Sequence, residues 1–353
     1  MRKLAVVTCY KDYVRTHTIQ AALDARQDVQ AIQVKNAKQG VLRYPEVLWK
    51  LLKVRIRDKP DGYLLNFRGY ELLPFVLLIA GRKPVIFDEF INLTEWVVDE
   101  HHKVKHGGLL ARILNNVYGW LLRHCRVILA DTPVHAAYSA ERSGVAIEKY
   151  VSVPVGTDNA VFYPRAQKPT KPFTVLYYGS MLPLHGVDIV LAAAKLLQDT
   201  PAIDFHFVGG KDKIAAQIAA ASAAGVNVRH TPWIAYADLP DAIAKAGINL
   251  AGPFGDTLQS QYVVTGKTYQ LLAMAVPCIV GENIATTDFV DKQNSLVVPQ
   301  GDAAALADAI RWAFEHPKEL ARIGKRGRAL YEKAFDEPTI ARQVRLALAQ
   351  AGL

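Results

Sequence analysis

Thr265-Gly266-Lys267 stands at the head of a run with helical apolar spacing, residues 267–275, so Lys267 falls in the first turn of a predicted helix. A cation there opposes the helix dipole, and a bound anion would account for it; a solvated surface lysine is the plain alternative. Gln270 lies three residues further on, on the same helix face. A phosphate met by Lys267 and a hydroxyl met by Gln270 together suit a nucleotide that carries a sugar. Upstream, Tyr178-Gly179-Ser180 ends a predicted strand and a helix begins near Gly186-Val187-Asp188, so the short loop between them either offers backbone amides to an anion or is an ordinary turn. Phe87-Asp88-Glu89-Phe90 places two carboxylates at another strand end, where one can bind a hydroxyl or act as a base, or where the pair is a helix cap or a solvated turn. Asp131-Thr132 is placed similarly and reads first as a cap. His101, His102 and His106 lack the partner spacing of a metal site, and no metal is expected.

These residues need a scaffold, and the chain alternates short apolar runs with longer helical periods, the pattern of parallel sheets wrapped by helices. Strands are expected at 3–8, 29–34, 62–66, 84–87 and 126–130, forming one doubly wound domain. The polar stretch 165–171 reads as a linker. A second domain is then expected with strands at 173–178, 205–208, 227–230, 248–251, 277–280 and 295–298. Ligands of such sheets sit beyond the carboxyl ends of the strands, which singles out the segments 179–186, 209–212, 233–236 and 252–267. Two domains that each present such an edge suggest a site in a cleft between them.

Length supports this division, since 353 residues exceed what one core organises. A hydrophobic fraction of 51% against 21% charged is globular, without a disordered signature. Cys9, Cys125 and Cys278 are odd in number and far apart, which fits a reducing compartment better than a disulfide framework. Arg2 and Lys3 precede only a short apolar run, a first strand and not a signal peptide, so a cytoplasmic location is expected. The stretch 72–80, interrupted by Pro74, is about half of what a bilayer-spanning helix requires. The net charge of +9 is concentrated in residues 1–150, which hold 23 Lys/Arg against 15 Asp/Glu. Such a patch can attract an anionic membrane or an acidic substrate; no nucleic-acid module accompanies it, and no nucleic-acid partner is expected.

Taken in order, these segments resemble family-4 retaining glycosyltransferases of the GT-B fold. The residues that carry the likeness are Val153-Pro154-Val155-Gly156-Thr157-Asp158 with Val161, Phe162 and Pro164; Leu176 to Ser180 with His185-Gly186-Val187-Asp188; Phe207-Val208-Gly209-Gly210; Val228 through Trp233-Ile234; Lys267 through Ala273 to Pro277; and Asn294 to Val298 with Pro299, Gly301 and Asp302. The resemblance implies two Rossmann-like doubly wound domains facing a central cleft: an acceptor-side domain over 1–165, a donor domain over 166–335, and a C-terminal helix, 336–353, returning to the first. It implies a metal-independent enzyme, without a cofactor, that moves a sugar with retention from a nucleotide sugar to a glycan or lipid-linked acceptor. Such a role belongs to cell-envelope polysaccharide biosynthesis. Donor binding then falls to Gly179, Ser180, His185, Gly186, Gly209, Trp233, Ile234, Phe254, Gly255 and Gln270. Catalysis falls to Lys267, Asp88 and Glu89, and the acceptor side to Tyr10, Arg15 and Arg68. His185, if protonated, would join Lys267 and the amides of Gly179 and Ser180 in holding the leaving phosphate.

The sequence departs from the family where Ser180 and His185 replace a common Arg and Lys, and where Tyr262 and Gln270 replace two glutamates. Those departures favour, as the alternative, a non-catalytic GT-B-like binding protein. An oxidoreductase with two Rossmann-like domains would need a glycine fingerprint after the first strand, where Cys9 to Tyr13 stands instead. In the basic first domain, 47–57 interleaves large apolar residues with four cations, and 109–126 adds an apolar stretch with basic flanks. For the first stretch a peripheral dock on the inner face of the cytoplasmic membrane is expected; the second reads first as a helix packed on the sheet.

Overall fold

The computed structural model describes residues 1–9, 13–100, 103–167 and 169–353, so Tyr10, His101 and His102 lie outside the described residues. The chain divides into two compact units, Met1–Gly156 with Glu337–Leu353, and Thr157–Asp336.

In the first unit the strands β1 (Arg2–Thr8), β2 (Val29–Lys35), β3 (Gly62–Leu65), β4 (Val85–Asp88), β5 (Val127–Ala130) and β6 (Tyr150–Ser152) form a parallel sheet in the order β2-β1-β3-β4-β5-β6. Both faces are covered, which is why β1, β3, β4 and β5 read as near-continuous apolar runs. Helices Arg43–Arg57, Leu73–Ala80, Leu109–His124 and Pro133–Ser143 bury Val47, Leu51, Leu73, Val76, Tyr118, Leu122 and Ala136 against one face. Val14–Asp24 and the C-terminal helix Glu337–Ala351 cover the other, the latter through Ile340, Val344, Ala347, Leu348 and Ala351 at helical spacing. Strand β6 is absent from the sequence expectation: it is three residues long, beside β5 at the sheet's edge, and too short to show a period.

In the second unit β7 (Phe173–Gly179), β8 (Ile203–Gly209), β9 (Val228–Thr231), β10 (Ile248–Leu250), β11 (Cys278–Glu282) and β12 (Leu296–Pro299) form a parallel sheet in the order β12-β11-β10-β7-β8-β9. The division between units falls at Gly156/Thr157 and not at 165/166. The residues after Thr157 are bound to the second unit: Phe162 meets the Tyr236 ring edge-on at 5.2 Å, Arg165 pairs with Asp241 at 2.7 Å, and Tyr331 donates to Asn159 at 2.8 Å. The stretch expected to be the linker therefore lies within that unit.

Each sheet reverses its winding once. In the second unit the chain runs outward from β7 to β9 and then restarts on the other side with β10, so the crevice at the switch point is bounded by the loops after β7 and β10. In the first unit the switch lies between β1 and β3.

Candidate functional site

Lys267 stands at that switch point of the second unit. It lies in the first turn of helix Gly266–Ala273, which follows the β10 loop, and is only 6% exposed. Its Nζ lies 5.2 Å from the centroid of the Tyr177 ring of β7. A Cβ added to Gly179 would sit 4.0 Å from that nitrogen. Among the described residues no carboxylate comes within salt-bridge distance of it. Burial alone draws its pKa from 10.5 to about 7. The surface-lysine alternative thus fails on placement: this is a sheltered amine at a strand-end crevice.

His185 shares the spot. It closes a short 3-10 turn, Pro183–His185, in the loop after β7; its carbonyl accepts from the Tyr177 hydroxyl, and its Nδ1 is buried without a hydrogen-bond partner. Burial and the neighbouring Lys267 hold its pKa well below the ordinary histidine value. The ring is therefore neutral at pH 7, which corrects the expectation of a protonated donor. A bound anion between the two side chains would favour the proton on either.

Glycines shape the floor. Gly179 and Gly209 are paired in the β7–β8 ladder with φ of 127° and 97°, and a Cβ on Gly209 would fall 2.3 Å from the Gly179 carbonyl oxygen. Gly186, with φ of 65°, presses against the Phe254–Gly255 peptide, where its Cβ would meet Gly255 N at 2.5 Å; the Gly255 N–H donates to Leu184 O at 3.0 Å. The loops after β7 and β10 are in this way locked together at backbone level. Ser180 is exposed beside them and Met181 adopts a left-handed φ of 53°.

Gln270 sits one turn beyond Lys267. Its Oε1 accepts from Tyr178 at 2.9 Å, and it also hydrogen-bonds Tyr236. Tyr177 and Tyr178, which hold the two helix residues in place, were not singled out as site residues; the adjacent tyrosines at the end of β7 were their only signal. Three further donor-site candidates stand elsewhere. Phe254 is a core side chain, 1% exposed and packed toward Tyr177, so only its backbone faces the loop. Trp233, on the loop after the edge strand β9, is 74% exposed, and Ile234 beside it is half-buried.

In the first unit, Asp88 and Glu89 are neither cap nor solvated turn. Asp88 is fully buried and takes the Arg15 Nε–H on Oδ1 at 2.7 Å. Arg15 also donates to Val153 O and, at 3.3 Å, to Ala130 O, so this acceptor-side candidate is occupied by the protein itself. Glu89 accepts from Ser139 at 2.7 Å, Tyr118 at 2.8 Å and Asn92 at 3.3 Å. Burial pushes both carboxyls above their ordinary pKa values. Arg68 is half-buried with φ of 53°, its guanidinium 5.2 Å from the Trp96 ring centroid. Thr132 caps its helix, accepting the His135 N–H at 3.0 Å. His135 in turn lies between Asp131 at 2.8 Å and Glu95 at 3.5 Å. Burial opposes a charge on that ring, but the two carboxylates prevail and raise its pKa well above the ordinary value.

Residues 172–316, nearly all of the second unit, match the family model of glycosyl transferases group 1. D-rhamnosyltransferase WbpZ of Pseudomonas aeruginosa is 28% identical over 167 residues, a match that takes in 45% of this chain and 41% of that protein. The chain superposes on Anabaena Alr3699/HepE in complex with UDP-glucose with a TM-score of 0.74, 14% identity, and coverage of 99% and 100% of the two chains. A sucrose-phosphate synthase from Thermosynechococcus elongatus gives 0.75 and 16%, with 99% of each chain covered. The fold is GT-B, with two Rossmann-like units, and the crevice around Lys267 lies in the part that matches glycosyl transferases group 1.

Proposed function

We propose that the protein is a glycosyltransferase that takes a sugar from a nucleotide-sugar donor, with retention at the anomeric carbon, and passes it to a glycan or lipid-linked acceptor of the cell envelope. The observation that carries this reading is Lys267, a buried lysine without a carboxylate partner among the described residues, facing glycine-shaped loops at a topological switch point. In the transfer, the bond from the anomeric carbon to the diphosphate oxygen breaks and a bond to the acceptor oxygen forms, while the acceptor proton leaves with the diphosphate. Negative charge grows on the departing group. Lys267 is placed to meet it, and regains its full charge as it does so, because the anion offsets the burial that lowered its pKa. The neutral His185 ring contributes its unpartnered Nδ1 to the same crevice. With these groups the reading needs neither a divalent metal nor another cofactor. Gln270, held by Tyr178 and Tyr236, is left to meet a hydroxyl of the nucleotide.

The test is a thermal-shift screen of the pure protein against nucleoside diphosphates and their sugars, followed by assay of the best donor with and without a chelator. Stabilisation by one nucleotide sugar, turnover that survives the chelator, and a product with the donor's anomeric configuration are expected. Binding without turnover on any acceptor would favour the non-catalytic alternative, for which the exposed Ser180 and the half-buried Tyr262 speak.

A further inference from the structure

The first unit carries a feature that sugar transfer does not use. Helices Arg43–Arg57, Leu73–Ala80 and Leu109–His124 lie side by side on one face of its sheet, and each turns large apolar side chains outward. Trp49, Leu52 and Ile56 follow helical spacing on the first, Phe75 and Leu78 on the second, and Leu110, Ile113, Val117 and Trp120 on the third; all are exposed. Val41 and Leu42, just before the first helix, and Leu109, at the start of the third, are exposed as well. Elsewhere among the described residues of this unit, only Met1, Ile147 and Leu346 are exposed large apolar side chains. A contiguous patch of this kind marks a binding surface, whereas scattered residues would not.

The charge around the patch names its partner. Helix Arg43–Arg57 holds five cations and one carboxylate, Glu46, which Lys50 already pairs at 2.6 Å; the other two helices hold no carboxylate. Where Leu73–Ala80 and Leu109–His124 end, an open concavity of about 430 Å³ is lined by Arg82, Lys83, Arg123, Arg126 and Lys149, with no acidic residue in its wall. Arg123, Arg126 and Lys149 donate to backbone carbonyls, and among the described residues only Lys83 of the five has a carboxylate within salt-bridge distance, Asp61 at 3.9 Å. Two helix C-termini supply only about half a negative charge each, which five cations exceed. Leu78 and Trp120 stand one turn back from this basic hollow, so apolar and cationic surfaces adjoin. No helix among the described residues is long and apolar enough to cross a membrane.

We infer that this three-helix face docks on a bilayer containing anionic phospholipid, with Trp49, Trp120 and their neighbours entering the interface and the basic hollow taking a lipid phosphate. A second copy of the chain is the poorer occupant, since face-to-face contact would oppose cations without carboxylates to answer them. The inference rests on the first unit alone and not on the transferase reading, and it extends to helix Leu109–His124, which the sequence assigned first to packing on the sheet.

Sedimentation with vesicles of phosphatidylglycerol and phosphatidylcholine, against phosphatidylcholine alone, tests it at low salt. Binding is expected only to the anionic vesicles, with release in high salt and a blue shift of tryptophan emission. A Trp49→Ser, Trp120→Ser variant and an Arg82→Glu, Lys83→Glu variant should each bind at least tenfold more weakly, with unchanged circular dichroism. Nucleotide binding measured on the same samples reports the second unit separately. Equal binding to both vesicle types, no binding to either, or a solution dimer that the Trp49→Ser, Trp120→Ser variant dissociates would overturn the inference.

Discussion

The Lys267 side-chain nitrogen rests 5.2 Å from the centre of the Tyr177 ring, in a setting where burial lowers its pKa to about 7. A ring face stabilises a cation by about 0.5–2 kcal/mol, less than burial takes away, so without an anion beside it the amine gives up its proton near pH 7.

Lys267→Met removes that unrewarded burial. At pH 6 the variant should unfold a few degrees higher than the parent, because its buried side chain carries no charge to desolvate. A lysine whose folded pKa falls from 10.5 to about 7 costs stability that is fully felt below pH 7 and recovered as pH rises toward 10.5. The gap in thermal midpoint should therefore close between pH 7 and pH 10. Turnover should fall roughly a hundredfold, about 3 kcal/mol in the transition state. A variant that is no more stable at pH 6 and fully active would return Lys267 to a structural role.

The same depressed pKa predicts proton uptake. At pH 8 the free protein holds Lys267 mostly neutral, and a nucleoside diphosphate that raises its pKa must draw a proton from the buffer. Calorimetric titrations in buffers of different ionisation enthalpy should show uptake approaching one proton at pH 8 and much less at pH 6, where Lys267 is already protonated. Lys267→Met should abolish the uptake at pH 8; uptake that persists would belong to another group.

Gln270→Glu should fold and bind donor within about tenfold of the parent, since a carboxylate still accepts from Tyr178 as Gln270 Oε1 does at 2.9 Å. Tyr178→Phe should harm donor binding more, by taking from Gln270 one of its two anchors and leaving only Tyr236. Thermal shift with the nucleotide sugar ranks the two.

Glycine substitutions separate loop locking from backbone strain. Gly186→Ala must displace the Gly255 amide at 2.5 Å, whereas Gly301→Ala, with φ of 74°, meets nothing within 4 Å. The second should cost about 1–3 kcal/mol of strain alone, and the first clearly more. Urea melts of the two variants give the comparison, and equal costs would mean that the loops after β7 and β10 are free to part.

Much of this was legible in the sequence. Strands buried on both faces write themselves as apolar runs, which is why eleven of the twelve were anticipated within two residues and only the short edge strand Tyr150–Ser152 was missed. The position of Lys267 in a first turn was equally plain. Its burial was not, because the walls around it, Tyr177 and Gly179, arrive from a strand far back in the chain. Arg15 and Asp88 show the same limit: read separately, one looked like a ligand for an acceptor and the other like a base, and only folding brings them together across 73 residues.

Glu89 offers the sharpest test of what the first-unit carboxylates do. It is 1% exposed and receives hydrogen bonds from Ser139, Tyr118 and Asn92, an arrangement that binds a side chain in place without opening it to substrate. Burial nonetheless raises its pKa above 4.5. For an acid this means that the folded state holds the proton more tightly than the unfolded chain, so stability is lost as pH climbs from 4.5 through the raised value. Gln keeps an acceptor for Tyr118 and carries no charge to desolvate. Glu89→Gln should therefore be as stable as the parent at pH 4 and more stable at pH 7, with turnover within a few-fold. Asp88→Asn differs, since it strips the Arg15 guanidinium of its partner at 2.7 Å and leaves a buried charge unanswered, a loss of about 3–5 kcal/mol. If Glu89→Gln instead folds normally at pH 7 and loses activity by a hundredfold or more, Glu89 acts on substrate, and the hydrogen bonds from Ser139 and Tyr118 serve to position a base.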